Sequence, residues 1–489
     1  MNAEAKLLSV AQGREDFHRG FLALQEEHAY EVKQFRGVIP LDLEGTLFRN
    51  GPGSMNAGSE AYGHWFDGPG MISAITFQSG KVHFKNRYVR TPKFLSDRRQ
   101  GHITQRGFGT QIKGGLLRNL FRPISNPANT GVSWHGGKLC AFYEGGQPFR
   151  LCPSTLETLG PELYDGLLNS RKTLSAHGKI HGKTGRQINF GVNLAGIGLS
   201  GIRCALDVHD LPSRGGPVKS CRVPLPYFPF IHDFALSENY GLFLVSSIRF
   251  GLSGPLMGLR TLSESMSFDG NKSVRGLLID LRTMSLTKEF ELPPALVVHF
   301  GNAFERDQEF IVDFFQSDNS EGFDWLCDVF SVEQVTGAAL VRLRLNTRTG
   351  RALLSPHNNG LIGEFPAWNP RQTGKRTDRC YFVAHSQPDN KGFFNTVVCL
   401  DTETGNIKSG NVGEHCHTSE ALFAPKRGAS DPHSGYLLAV VYNALHHRSE
   451  IQIRDAENPA IEVGAAVLNH HVPFGFHGHF TTDLFGAIH

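Results

Sequence analysis

Four of the 23 histidines lie in short apolar or glycine-containing runs. They are His177 in Ser175-Ala-His-Gly-Lys, His232 in Phe230-Ile-His-Asp-Phe-Ala, His299 in Val298-His-Phe-Gly-Asn-Ala-Phe-Glu305 and His477 in Val472-Pro-Phe-Gly-Phe-His-Gly. Their separations are 55, 67 and 178 residues, the last about three times the others. One ligand per repeat of a radial β-structure, with repeats skipped, would give such a step. Four converging imidazoles would hold a divalent metal of borderline or harder character without thiolates. Three carboxylates have comparable surroundings: Glu144 in Leu139-Cys-Ala-Phe-Tyr-Glu-Gly-Gly, Glu364 in Gly363-Glu-Phe-Pro, and Glu420 in Ser419-Glu-Ala-Leu-Phe-Ala-Pro. A metal-bound imidazole usually donates its other N–H to a carboxylate or carbonyl, which fixes tautomer and ring plane. A buried carboxylate, costly alone, is tolerated beside such a donor. Taken singly, each histidine or glutamate reads as ordinary core or surface, and spacing does not say which glutamate serves which histidine.

The elements that must position these residues read as β-structure. The chain has 489 residues, with 55 Gly and 36 Phe against 6 Met and 4 Trp. After Gly37 the texture is of short β-branched and aromatic runs bounded by Gly, Asp and Asn, such as Gly241-Leu-Phe-Leu-Val-Ser-Ser-Ile and Gly435-Tyr-Leu-Leu-Ala-Val-Val-Tyr, an all-β signature. Asn346-Thr-Arg-Thr-Gly350 and Asp401-Thr-Glu-Thr-Gly405 read as hairpin turns. Residues 1–36 read as an N-terminal helical extension, with Asp16 to Gln34 its most helix-like part, and residues 37–489 as one domain, since no Pro/Ser-rich linker divides them. No exact repeat is present, so periodicity alone does not prove a propeller.

Composition bounds the function further. Forty-nine Lys and Arg against 46 Asp and Glu give +3, which carries no nucleic-acid footprint. The eight cysteines are scattered and none forms CxxC, so a zinc ribbon is excluded and reduced thiols in a cytoplasmic protein are expected. No signal-peptide core and no apolar run of spanning length occurs. Two segments break the β pattern. Gln111–Pro123 alternates apolar and basic residues, with Leu116, Leu117, Leu120 and Phe121 on one side if helical, and Phe250–Arg260 is apolar but broken by Gly and Pro. Each is either a loop over the core or an apolar patch entering one leaflet of a membrane.

Taken together, the runs resemble the carotenoid cleavage oxygenases. The likeness rests on Phe48-Arg-Asn-Gly-Pro-Gly, His64-Trp-Phe-Asp-Gly-Pro-Gly-Met, Tyr143-Glu-Gly-Gly, Ser175-Ala-His-Gly-Lys-Ile, Ile231-His-Asp-Phe-Ala, His299-Phe-Gly-Asn-Ala-Phe-Glu, Glu364-Phe-Pro, Ser419-Glu-Ala-Leu-Phe-Ala-Pro and Pro473-Phe-Gly-Phe-His-Gly, in family order from residue 37 to near the C-terminus. It is greatest to the cyanobacterial-type apocarotenoid oxygenases that form retinal.

The resemblance implies an all-β, seven-bladed β-propeller with a helical and loop cap over the metal-bearing face. It implies one Fe(II) held by His177, His232, His299 and His477, with Glu144, Glu364 and Glu420 as the outer carboxylates. His181 and His479 would then be bystanders, and Asn302 and Glu305 carry no assigned role. O2 would be the co-substrate for scission of one conjugated C=C into two aldehydes, with retinal from an apocarotenal expected at the 15,15′ bond. The alternatives are cleavage of full-length carotenoids at another bond, or a non-cleaving carotenoid-binding or isomerising relative. The apolar polyene would run in a tunnel, with Phe66, Tyr143 and Phe230 at lining positions. Stilbene-cleaving relatives tend to carry Lys immediately before the Glu144 position; Tyr143 here argues against a phenolic stilbene. Drawing such a substrate from a bilayer would make 111–123 a peripheral membrane contact, with Arg118 and Arg122 toward anionic headgroups. No nucleic-acid partner is expected and no protein partner can be inferred.

Overall fold

The computed structural model describes residues 17–169, 172–198, 201–213, 215–319, 333–357 and 360–486. Nearly all regular structure is antiparallel β. Successive strands pair as meanders: Gly131–His135, Lys138–Phe142, Phe149–Leu151 and Thr158–Pro161 make one four-stranded sheet, and Lys179–Ile180 to Lys219–Leu225 make the next. A third runs from Ala235–Leu236 to Ser285–Leu292. An eight-stranded sheet follows, in which Ala338–Asn346 meets Ile362–Ala367 through only two register pairs. Turn chemistry sets the hairpins: Asn346 accepts from Gly350 N–H and Asp401 from Gly405 N–H, each at 2.8 Å, with both glycines at positive φ.

Both chain ends are woven into sheets. Strand Gly478–Thr481 pairs with Gly45–Pro52, so the C-terminal strand completes the sheet of Gly70–Gln78 and Lys81–Tyr88. Strand Gln34–Gly37 joins the other end, beside Glu462–Val467. The run Phe48-Arg-Asn-Gly is explained by this closure. The Asn50 N–H donates to His477 O at 3.0 Å and the Asn50 carbonyl accepts from Phe476 N–H at 2.9 Å, while the side-chain amide donates to Ala128 O and Gly131 O at 3.0 and 2.7 Å. Gly51 must lack a side chain, because a Cβ there would lie 2.3 Å from Gly475 Cα.

In the described part of the expected helical extension, residues 17–36, no α-helix forms. Residues 1–16 lie outside the described residues. Phe17–Phe21 is one 3-10 turn, and Ala29–Glu31 and Gln34–Gly37 are strands. Phe17, Phe21, Leu24 and Val32 are buried, at a spacing that one helical face could equally have buried, so the periodicity of this segment does not by itself tell helix from strand. Open sheet edges offered this segment backbone partners that override its helix propensity. The 111–123 segment is likewise a loop with a 3-10 turn at Leu116–Arg118. Gly114, Gly115 and Phe121 take positive φ, and the Asn119 side chain donates to Ile112 O and Gly115 O and accepts from Ile112 N–H. Leu120 is half-buried, while Leu116, Leu117 and Phe121 are exposed.

No helix among the described residues is long and apolar enough to cross a membrane. The seven described cysteines are all free. Burial holds several imidazoles neutral, pushing His64 down to about 3 and His209 and His477 down to about 4. Each folded value lies below the unfolded value of about 6.5, so the unfolded chain takes up the extra protons as pH falls. Stability present above about pH 6.5 should therefore be lost progressively toward pH 4. Urea midpoints of the metal-free chain across that window check this; a flat profile would show that these imidazoles are not buried neutral.

Candidate metal centre

Each of the four histidines comes from a different strand system. His177 lies in the turn before Lys179–Ile180, His232 before Ala235–Leu236, and His477 before Gly478–Thr481; His299 sits within Leu296–Arg306. The structure brings all four together, one ligand atom of each within 4.8 Å of the others. The Nε2 atoms of His177 and His232 are 2.9 Å apart, those of His232 and His299 3.1 Å, and those of His299 and His477 3.2 Å.

The outward nitrogens meet carboxylates, and the pairing left open by spacing is resolved. His299 Nδ1–H donates to Glu364 at 2.6 Å and His477 Nδ1–H to Glu420 at 3.1 Å. His232 Nδ1 pairs closely with Glu144. His177 has no such partner: its nearest carboxylate oxygen is Asp233 Oδ1, 3.9 Å from Nδ1. Glu364 and Glu420 are buried, but Glu144 keeps 34 % of its side chain exposed, so the expectation of three buried glutamates is corrected to two. Glu144 leaves the end of strand Lys138–Phe142 for a turn that opens toward solvent.

Bulges aim the strand-borne members. Register breaks fall at Val297/Phe300, Glu364/Ala367 and Thr418/Ala421, bracketing or bordering His299, Glu364 and Glu420. A bulge turns a side chain off the regular alternation, and Phe365, at φ 57°, completes one of them. Its ring lies 5.4 Å from that of His299 and 5.7 Å from that of His477.

Electrostatics follows from burial and these pairs. Burial and then the three neighbouring imidazoles push His177 well below its ordinary value. Burial also opposes protonation of His232, but Glu144, Asp233 and Glu364 outweigh it and raise the group. Glu420 is held low against its burial by Arg49, His477 and the Gly478 N–H. With Nδ1–H committed to carboxylates, the Nε2 lone pairs of His232, His299 and His477 face one another with no proton between them. A cation relieves that repulsion. Imidazole–metal bonds of about 2.0–2.1 Å at near-right angles put adjacent nitrogens about 3 Å apart, matching the separations above. These residues fit a metal ion.

The other marked residues have different work. His181 bonds Glu238 O at 2.7 Å, and Glu305 accepts from Ser237 and Asn239. Asn302 reaches Gln372 O and Lys375 O. Phe66 and Phe230 are half-buried against a cluster that holds Trp65, Phe365 and Phe476. Phe66 packs edge-on to Phe476 at 5.2 Å. Tyr143 is buried beside Glu144, and burial pushes its phenol well up, so it stays protonated. Sequence reasoning missed Phe365, Arg49, Asp233 and Lys179. Each lies in or beside a quoted run, but nothing in the run marks it as facing the site. A cavity of about 190 Å³ is lined by His177, His299, His477, Lys179, Asp233 and Trp368, among others.

Four convergent imidazoles on an all-β scaffold form a site that could hold a metal ion. The family model described as retinal pigment epithelial membrane protein matches residues 21–482. Apocarotenoid-15,15'-oxygenase of Synechocystis sp. is 31 % identical over 95 % of this chain and 96 % of its own. Carotenoid 9,10(9',10')-cleavage dioxygenase 1 of Arabidopsis thaliana is 29 % identical over 91 % and 86 %. Lignostilbene-alpha,beta-dioxygenase isozyme III of Sphingomonas paucimobilis is 27 % identical over 91 % and 93 %. Among solved structures, cobalt-substituted Synechocystis ACO superposes with a TM-score of 0.87 at 30 % identity, covering 96 % of this chain and 99 % of that one. The chain belongs to the carotenoid cleavage oxygenase family, and is an enzyme of the oxygenase class.

His299→Ala should abolish metal retention, read by metal analysis of the purified chain; full metal content would refute this ligand. Glu364→Gln should weaken metal affinity about 10–100-fold with little change in melting temperature of the metal-free form, measured by chelator competition.

Proposed function

We propose that this chain is an Fe(II)-dependent dioxygenase that cleaves one conjugated C=C bond of an apocarotenoid with O2 to give two aldehydes, retinal among them. The observation that carries the reading is the convergence of His177, His232, His299 and His477 with Glu144, Glu364 and Glu420 arranged outside them. Similarity to an apocarotenoid-15,15'-oxygenase along nearly the whole chain supports the choice of bond. The scaffold reads as a seven-bladed β-propeller: the eight-stranded sheet divides into two blades at its two-pair junction, and the other large sheets supply five.

Iron bound here would supply the means for triplet O2 to react with a singlet polyene. The residues themselves do the rest. Glu364 and Glu420 fix the ring planes of His299 and His477 by accepting Nδ1–H, and Glu144 does so for His232. Among the described residues no carboxylate joins the four imidazoles, so four neutral ligands would leave the ion's charge available to oxygen. Phe66, Phe230, Phe250, Met266 and Phe268, half-buried on the aromatic cluster, suit a long apolar substrate and exclude water. Tyr143, without a formal charge, offers no cation to activate a phenol.

The substrate's insolubility requires a lipid-facing entrance. Leu117 is 83 % and Phe121 70 % exposed, and Leu259 of the neighbouring loop 65 %. The two loops are bound together: Phe121 N–H donates to Leu256 O, and buried Arg106 donates to Asn119 O, Arg122 O, Pro255 O and Arg260 O. With Arg118, Arg122 and Lys113 around them, these apolar side chains suit peripheral contact with an anionic bilayer.

Iron-loaded protein given β-apo-8′-carotenal in detergent should consume O2 and release retinal, identified by mass spectrometry. Bound iron without oxygen uptake would leave carotenoid binding or isomerisation instead. Replacing Leu117 and Phe121 with Ser should reduce sedimentation with anionic liposomes while leaving turnover in detergent unchanged. Undiminished sedimentation would place the membrane contact elsewhere.

A further inference from the structure

The four imidazoles do not face equivalent surroundings, and the difference lies one residue further out. Glu420 is paired with a buried guanidinium: Arg49 Nη1 donates to Glu420 Oε2 at 2.5 Å. Arg49 Nη2 donates to Ser419 Oγ and Phe476 O, each at 2.9 Å. Gly478 N–H reaches the same carboxylate oxygen at 2.8 Å. Asp233, the carboxylate nearest His177, is likewise paired, with Lys179 Nζ 3.0 Å from Oδ1 and 3.1 Å from Oδ2. Glu364 accepts, among the described residues, from His299 and from the N–H of its neighbour Phe365 at 2.8 Å. Among the described residues, no Lys or Arg nitrogen pairs with Glu364 or Glu144.

Charge balance therefore differs around the ring. His232 and His299 donate to carboxylates whose charge nothing else offsets, and draw the most electron density from them. His477 donates to a carboxylate already neutralised by Arg49. Arg49 is also tied to the strand that carries His477. It is in register with Gly478 across the closing pair of strands, and it holds the carbonyl of Phe476, the residue before the ligand. Its guanidinium thus fixes both the carboxylate and the backbone from which the fourth imidazole hangs. A fork of this kind, with several donors in one plane, is a task lysine does less well.

We propose that Arg49 is a positioning residue for the metal centre: by neutralising Glu420 and gripping Phe476 O, it sets the donor strength and orientation of His477 and so the redox balance of the bound ion. The inference rests on the iron reading above. It predicts opposite effects from the two halves of the pair. Arg49→Met leaves an uncompensated negative charge near the metal and favours Fe(III). Glu420→Gln leaves an uncompensated positive charge and favours Fe(II). Arg49→Met/Glu420→Gln is neutral again, as the native pair is.

The test measures the midpoint potential of the bound iron and its loss to a chelator, with activity as a separate readout. In the single variants the Fe(III)/Fe(II) equilibrium should move in opposite directions by about tenfold or more, and in the double variant it should return toward the wild-type value. Arg49→Lys, which keeps the charge but not the fork, should hold a near-native potential and release iron several-fold faster. If Arg49→Met fails to fold, Glu420→Gln against the double variant still decides the matter, since the first must raise the potential and the second restore it. Unchanged potentials, shifts of one sign in both singles, or a double variant further from wild type than either would overturn the proposal. Wild-type protein that binds no iron would instead overturn the metal reading, independently of Arg49.

Discussion

Four imidazole lone pairs aimed at one point repel one another, and the architecture is organised around making that arrangement stable. The repulsion is tolerable only with a cation between the nitrogens and with each ring's proton held on its far side. Glu144, Glu364 and Glu420 do the second task for three of the rings. A carboxylate accepting Nδ1–H leaves Nε2 bare, so ring plane, tautomer and donor strength are set together. The buried glutamates and the buried imidazoles are therefore each other's condition: either alone would carry a desolvation cost of several kcal/mol.

Delivering four rings to a point from one chain is a topological problem. A helix or a hairpin can bring two side chains together, but these four come from residues up to 300 positions apart. Successive meanders that each end on an inward strand solve it, provided that the last strand returns to the first. The pairing of Gly478–Thr481 with Gly45–Pro52 makes that return, and His477 is the residue immediately before it. Asn50 and Arg49 sit at the join and bond to the backbone on either side of His477. Closure of the fold and completion of the site are one event. Regular strands would still point half of these side chains the wrong way, and the bulges at His299, Glu364 and Glu420 correct this locally.

The long connections tie the exposed apolar loops to the centre. Asp67 accepts from Gly109 N–H and Thr110 Oγ1, and from Phe108 N–H at 2.5 Å, which fixes the turn leading into 111–123. Its neighbours Trp65 and Phe66 pack on Phe476, whose chain neighbour is the ligand His477. Arg106 is buried without a carboxylate partner among the described residues, and its Nη atoms donate to carbonyls of both exposed loops. Hydrogen bonds to a charged group contribute about 1.5–3 kcal/mol each, so the guanidinium holds the two loops as one body. The His64-Trp-Phe-Asp run is thus a mechanical link between surface and site.

The sequence by itself determined the all-β class and the hairpin turns at Asn346–Gly350 and Asp401–Gly405, which are local features of strand texture and Asx–Gly turn chemistry. Which histidines and glutamates would meet was implied by the family resemblance of the runs that carry them, since each taken singly reads as ordinary core or surface. On sequence alone residues 1–36 read as a helical extension, whereas the described part, 17–36, forms a 3-10 turn and two strands, because a helix-like composition is a weak preference that an open sheet edge overrides. Only the tertiary structure decided that Glu420 belongs to His477 and Glu364 to His299, that Glu144 is partly exposed, and that His177 has no carboxylate within bonding reach. It alone revealed Arg49 behind Glu420. Those facts depend on bulges and on strand pairing between the two ends of the chain. Contacts across 371 and 427 residues leave no trace in the neighbours of either partner.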